Sequence, residues 1–154
     1  MRVSAKADYA VRALVELAAG DEGTPIKGEA IASAQDIPMP FLENILAELR
    51  HNGLVQSRRG AEGGYWLSRL PREVTIADVI RAVEGPLASV RGETPEELRY
   101  QGSAEPLARV WIALRANIRD VLERVTLADI VADELPPHVA ELLRPADMPQ
   151  AEGA

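Results

Sequence analysis

Residues 39–67 read MPFLENILAELRHNGLVQSRRGAEGGYWL, and the change of period inside this stretch decides the fold. Leu42, Ile45, Leu46 and Leu49 recur at i, i+3, i+4 and i+7, one face of an α-helix. The helix opens at Met39 or Pro40, where proline is tolerated because first-turn N–H groups have no intrahelical partner. Gly53 closes it from the position just past the C-terminus. The pattern then turns strand-like at Val55-Gln56-Ser57 and again at Tyr65-Trp66-Leu67. Between these lies Arg58-Arg59-Gly60-Ala61-Glu62-Gly63-Gly64, a glycine-rich hairpin tip with two adjacent arginines.

Working upstream, Ala7, Val11, Leu14, Val15 and Ala18 predict a helix over residues 4–19, with Ser4 as N-cap and Gly20 as stop. A short helix is expected over about 27–34, with Ala30, Ile31 and Ala34 on one face, and Asp36-Ile37-Pro38 makes the turn into the next. Downstream, Thr75 and Asp78 form a capping box for a helix with Ile76, Val79, Ile80 and Val83 as its stripe, ended by Gly85-Pro86. Residues 86–103 read as a long loop with a helical turn near 95–99. Leu107, Trp111, Leu114, Ile118, Val121 and Val125 then alternate spacings of four and three, a heptad seam on one long helix from about 104 to 125. Thr126 and Asp129 cap a further short helix with Leu127, Ile130 and Val131 as its stripe. The tail beyond Leu135, with Pro136, Pro137, Pro145 and Pro149, is expected to be loosely ordered, with one docked turn at Val139, Leu142 and Leu143. No internal repeat is evident.

Composition narrows the function. The 154 residues are 47% hydrophobic and only 4% aromatic, enough for an aliphatic core that favours helices. There is no cysteine, which excludes disulfides and thiolate metal sites. No apolar run reaches the ~18 residues that span a bilayer, and Asp8, Arg12 and Glu16 break the N-terminal apolar stretch, unlike a secretory signal. A cytoplasmic protein without membrane partners is expected. The net charge of −7 argues against a nucleic-acid partner only until the chain is divided. Residues 1–72 carry nine basic and nine acidic residues, so the whole deficit sits in residues 73–154.

Three helices, two strands and a basic glycine-rich tip, in that order, predict a mostly α fold with a small β-wing: a winged helix-turn-helix plus a long dimerisation helix. The third helix would enter a major groove with its polar face, Glu43, Asn44, Ala47, Arg50 and His51. Its N-terminus would bring free N–H groups towards phosphates. Arg58 and Arg59 would follow the backbone or slip into a minor groove, with Gly60 and Gly63 allowing close approach. The expected organisation is a DNA-binding domain over 1–85, a loop over 86–103, dimerisation helices over 104–135 and a proline-rich tail over 136–154.

Several segments resemble the Rrf (BadM/IscR-type) family of transcription regulators: Val3-Ser4-Ala5-Lys6-Ala7-Asp8-Tyr9-Ala10, Phe41-Leu42-Glu43-Asn44-Ile45-Leu46, Leu49-Arg50-His51-Asn52-Gly53-Leu54-Val55, Arg59-Gly60, Gly63-Gly64-Tyr65 and Val79-Ile80-Arg81-Ala82-Val83-Glu84-Gly85-Pro86. The likeness runs through roughly residues 1–135. It implies a homodimer whose long helix crosses to the partner, binding double-stranded DNA at a palindromic operator. It places base-reading positions on Met39, Pro40 and Glu43 and a minor-groove arginine on Arg59. Glu43 could accept from cytosine N4, repel a wrong base, or simply be an acid favoured by the helix dipole. Many members of that family hold an iron–sulfur cluster through three cysteines in the loop after the fourth helix. Here Leu87-Ala88-Ser89-Val90-Arg91-Gly92-Glu93-Thr94-Pro95 has none, so neither a cluster nor another cofactor is expected. Asp8 matches a position that ligates the cluster in some members, and without thiolates it reads as a first-turn charge. The segments Val83-Glu84-Gly85-Pro86-Leu87-Ala88-Ser89-Val90, Val110-Trp111-Ile112 and Thr126-Leu127-Ala128-Asp129 look like the cysteine-free, CymR-like branch, whose signal comes from a partner protein or a small ligand.

Trp111 reads as a dimer-core residue and Trp66 as a half-exposed wing residue. Arg91, Glu93 and Tyr100 in the 86–103 loop are candidates for a sensor pocket, against the simpler reading that they are solvated. His51 and His138 have no ligand spacing, so no metal site is expected. No nucleophile elbow, phosphate loop or histidine-centred acid–base set is present, and the chain is not expected to be an enzyme. The expected function is a sequence-specific regulator, a repressor, acting as a homodimer. The alternatives are a protein–protein adaptor on a winged-helix scaffold, or a regulator governed by a small ligand in the 86–103 loop.

Overall fold

The computed structural model of the chain describes residues 1–144. Helix α1 (Ala5–Ala19) is the hub, with Ala7, Ala10, Ala13, Leu14 and Leu17 buried. Its alanines let neighbouring helices approach closely, so α1 packs against four others introduced below. Ser4 caps it, its Oγ accepting from the Ala7 amide at 3.0 Å. Helices α2 (Gly28–Gln35) and α3 (Met39–His51) complete the trihelical unit. Leu42, Ile45, Leu46 and Leu49 are all buried, as their spacing predicts. In α2 the buried residues are Gly28, Ile31 and Ala32, while Ala30 and Ala34 are exposed. An eight-residue helix made largely of small residues carries too little contrast for its pattern to name the inner face.

Strands β1 (Val55–Arg58) and β2 (Gly64–Leu67) pair antiparallel, from Val55 opposite Leu67 to Arg58 opposite Gly64. Ile26, just before α2, extends this sheet: its N–H donates to the Tyr65 carbonyl at 2.9 Å and its carbonyl accepts from the Tyr65 amide at 2.8 Å. The approach leaves no room for a side chain at Gly64, whose φ is +148° and whose added Cβ would stand 2.6 Å from the Ile26 carbonyl oxygen. A Cβ at Gly63 would stand 2.0 Å from the Arg58 carbonyl oxygen.

Helix α4 (Ile76–Glu84) starts at the predicted Thr75–Asp78 capping box. The following loop is anchored, because Leu87, Pro95 and Leu98 are buried. Helix α5 (Leu107–Leu122) is shorter at both ends than the expected 104–125. Residues 102–104 form a separate 3-10 turn and Val125 lies beyond the helix. After α5 the chain returns to the body: Ile76 N–H donates to the Val125 carbonyl and Leu127 N–H to the Val74 carbonyl, both at 3.0 Å. This clasp centres on Thr75 opposite Thr126, each the N-cap of a capping box. Residues 75–80 (TIADVI) and 126–131 (TLADIV) are nearly the same hexapeptide, a short internal repeat that the expectation of none overlooks. Helix α6 (Leu127–Ala132) follows, then α7 (Pro137–Ala140). Val139 is buried and His138 Nε2 lies 3.3 Å from the Asp120 carbonyl oxygen, so the chain just past Leu135 is docked. Leu142 and Leu143 stay exposed, and the part of the expected loose tail from 145 onward lies outside the described residues.

Across the base of α5, Arg81 and Arg119 both donate to the Glu123 carboxylate, which holds its pKa below the ordinary carboxylate value. A carboxyl with a lower pKa folded than unfolded adds stability above its unfolded value, and that stability is lost as pH falls through the folded one. Glu123→Gln should therefore flatten the acid side of the stability profile: below about pH 4.5 its melting temperature should fall less steeply than that of the wild type. Gly63→Ala should cost about 2 kcal/mol or more, lowering the melting temperature by several degrees in a thermal unfolding scan.

Candidate nucleic-acid interface

The stripe that buries one side of α3 leaves Pro40, Asn44, Ala47 and His51 along the opposite, exposed side, with Glu43 and Arg50 exposed towards the wing. Arg50 Nη1 donates to Ser57 Oγ on β1 at 3.0 Å, which aims the guanidinium along the junction of helix and wing. Met39 is half-buried and packs on the core, its Cε 3.7 Å from the place a Cβ on Gly28 would occupy. Of the three positions the resemblance marks on α3, Pro40 and Glu43 are open to a ligand and Met39 supports the turn.

The start of α3 is a poorer anion site than the helix dipole alone suggests. Pro40 has no N–H, and the amides of Phe41 and Leu42 donate to the Pro38 carbonyl at 3.1 and 3.0 Å. Among the described residues only the Met39 amide of that turn is left without a partner.

At the wing tip Arg58 Nη2 donates to the Glu62 carbonyl at 3.0 Å, and Arg59 is exposed. Gly60 is exposed with φ +102°, but Gly63 is buried. Gly63 therefore serves the hairpin's close packing and cannot meet a phosphate as the sequence reading expected. Lys27 was missed: its Nζ donates to the Gly60 carbonyl at 2.5 Å, tying the wing tip to α2 and adding a cation. A lone lysine before a short helix carries no sequence signal that it will meet a hairpin 33 residues later.

The charges divide unevenly. Seven ion pairs form among the described residues, and Lys27, Arg50, Arg58 and Arg59 enter none of them. These four cations gather around the exposed side of α3 and the wing, with the exposed Glu43 and Glu62 among them, and they are side chains of the kind that meet phosphates. Asp8, by contrast, is paired with Arg12 at 3.0 Å, and Arg12 also donates to the Gln35 carbonyl and lies 4.9 Å from the Tyr9 ring centroid. The residues present do not fit an iron–sulfur cluster. No thiolate exists, Asp8 is engaged, and in the loop Glu97 is taken by Thr94 and Glu96 by Arg115. Glu97 is held below the usual carboxylate range by those Thr94 hydrogen bonds. Among the described residues no group of three potential ligands is placed to hold a metal ion.

The sensor candidates lie in a turn that satisfies itself. Val90 and Glu93 exchange backbone hydrogen bonds around Arg91 (φ +53°) and Gly92 (φ +82°). Arg91 stands 6.0 Å from the Tyr100 ring centroid, and Tyr100 Oη accepts from Trp111 Nε1 at 3.1 Å. Trp111 is thus partly engaged within its own chain. Helix α5 has no fully buried residue: Leu107, Trp111, Leu114, Ile118 and Val121 are half-buried, and Val110, which the seam omitted, is 55% exposed. Val125 is buried in the chain's own core and offers nothing to a partner. An open apolar groove of about 660 Å³ runs beside this helix, lined by Val3, Ile80, Leu87, Ile118 and Val121 among others. No helix among the described residues is long and apolar enough to cross a membrane.

Comparison with known proteins agrees with this geometry. Residues 3–133 match the family described as Rrf2, iron-dependent transcriptional regulator. A protein of Mycobacterium tuberculosis named as an HTH-type transcriptional regulator, Rv1287, is 54% identical over 92% of this chain and 88% of its own length. The HTH-type transcriptional regulator CymR of Bacillus subtilis is 35% identical over 86% of this chain and 91% of its own. The solved structure of B. subtilis CymR, the global cysteine regulator, superposes with a TM-score of 0.73 at 33% identity, covering 86% of this chain and 98% of that one. That of T. potens IscR superposes at 0.71 and 35% identity, covering 98% and 94%. The helix-turn-helix with its arginine-tipped wing, the match over most of the chain and these neighbours lead to one conclusion: the protein belongs to the Rrf2 family of winged-helix transcriptional regulators.

Proposed function

We propose that the chain acts as a homodimeric repressor that binds a palindromic operator and works without an iron–sulfur cluster or catalytic activity. The observation that carries the DNA reading is the set of four unpaired cations, Lys27, Arg50, Arg58 and Arg59, around an exposed recognition helix in a chain of net charge −7. Seven other basic residues are, by contrast, each paired with a carboxylate. Arg58 and Arg59 at the wing tip follow the sugar–phosphate backbone or the minor groove, Gly60 lets the tip approach, and Glu43 and Pro40 face the base edges. Dimerisation uses α5, whose apolar seam of Leu107, Val110, Trp111, Leu114, Ile118 and Val121 finds no full cover within its own chain. A second copy would bury it and set two α3 helices about one DNA turn, ~34 Å, apart. The poor fit of the residues to a cluster supports a signal other than an iron–sulfur centre. The groove beside α5 offers an apolar ligand more room than the Arg91–Tyr100 turn does.

With four cations per protomer on DNA, affinity measured by gel shift should fall about 10³–10⁵-fold between 50 and 200 mM salt. Arg59→Ala should weaken operator binding and lower the slope of log affinity against log salt by about 2 per dimer, with an unchanged melting temperature. A variant that binds as well as wild type would remove the wing from the interface. Val110→Glu, at a position already exposed, should give folded monomers in sedimentation analysis; a stable dimer would place the interface elsewhere.

A further inference from the structure

We propose that the first turn of α3 is a thymine reader: Pro40 and Phe41 form an apolar tip that packs on the C5-methyl groups of thymines in the operator's major groove. The inference rests on the DNA reading above and names the chemistry of the bases that the tip selects. From Ile37 to Leu42 the chain runs Ile-Pro-Met-Pro-Phe-Leu, with no side-chain donor or acceptor in six consecutive residues. The backbone supplies little more, because Pro40 lacks an N–H and the Phe41 and Leu42 amides are taken by the Pro38 carbonyl. With the Met39 amide as its one free donor, the turn offers a phosphate or a polar base edge little to bind. It nevertheless stands at the exposed start of the recognition helix. Pro40 shares the outward side with Asn44 and Ala47, and Phe41, the chain's sole phenylalanine, is 61% exposed beside it.

The remaining core-forming residues of α3 are buried, so Phe41 is not excess core that failed to fit. The major groove offers one apolar group for such a surface, the thymine methyl. Burying it against Pro40 and Phe41 removes apolar area from water on both partners. Ala47, two turns along the same side, continues the apolar strip, while Glu43 and Asn44 beside it provide the polar contacts.

The test starts from duplexes selected out of a random pool by the purified full chain. In the selected palindrome, each symmetric pair of thymines is replaced by deoxyuridine, which removes only the methyl group, and affinity is read by fluorescence anisotropy. At one thymine pair the loss should be about fourfold per methyl, hence roughly fifteenfold for the pair. Phe41→Ala should melt like the wild type, since the ring is mostly exposed, and should bind the thymine and deoxyuridine duplexes within about twofold of each other. A selected half-site without a fixed thymine, a wild type insensitive to every replacement, or a Phe41→Ala variant that keeps the full discrimination would each overturn the proposal while leaving DNA binding intact. Failure to bind any duplex would overturn the DNA reading itself.

Discussion

Ile26 and Tyr65 exchange both of their backbone hydrogen bonds, and the rest of the interface depends on that contact. It joins the entry of α2 to the second wing strand at a separation that only a glycine at position 64 permits. Because α2 also packs on α3, the contact makes the wing and the recognition helix one rigid piece rather than a helix with a loose hairpin. Lys27, the next residue, continues the tie by holding the Gly60 carbonyl at the wing tip. Arg50 makes a second tie from α3 to Ser57 on β1. These two ties hold the hairpin backbone that carries Arg58 and Arg59, and a pre-positioned backbone lowers the entropy lost on binding.

The polar and apolar chemistry of the molecule is sorted by where it is left unsatisfied. Around α4 and α5 several arginines meet carboxylates: Arg81 and Arg119 converge on Glu123, Arg115 reaches Glu96 and, just past α5, Arg124 reaches Asp120. On the side of α3 and the wing, four cations have no such partner. The apolar surface follows the same logic. Helix α3 buries its stripe completely, whereas α5 buries none of its residues fully. Exposed surface is not unusual in itself, but a long helix whose apolar stripe is only half-covered by its own chain marks a contact surface. The cations at the wing and this stripe are the two surfaces on which the proposed DNA and dimer contacts rest.

The second clasp, between Thr75 and Thr126, explains how a protruding helix stays attached. Twin capping boxes start α4 and α6 side by side, and the antiparallel bonds between them return the chain to the core after α5. The packing therefore does not follow a simple division into a DNA-binding part and a dimerisation part. Val125 and Leu127, which the linear pattern assigns to the latter, belong to the same core as α1 and α3.

What the amino-acid order determined alone was everything set by local rules. The α3 stripe, the caps at Ser4, Thr75 and Thr126, the stop at Gly53 and the hairpin between Val55 and Leu67 all follow from spacing and from residue types that act within a few positions. Arg58 and Arg59 were legible as a basic tip for the same reason. Tertiary structure alone decided which of these features were free to act. Gly63 looked available and is buried against Arg58, and Val125 looked like seam and is core, while Met39, which the resemblance marks, is half-buried against the core. Lys27 had no local signal, and it joined the site because Ile26 pairs with a strand 39 residues away. Periodicity records which face of an element is apolar, but not what covers that face. Cover is set by long-range backbone approach, which at the wing depends on the missing side chain of Gly64 and around Val125 on the clasp between Thr75 and Thr126.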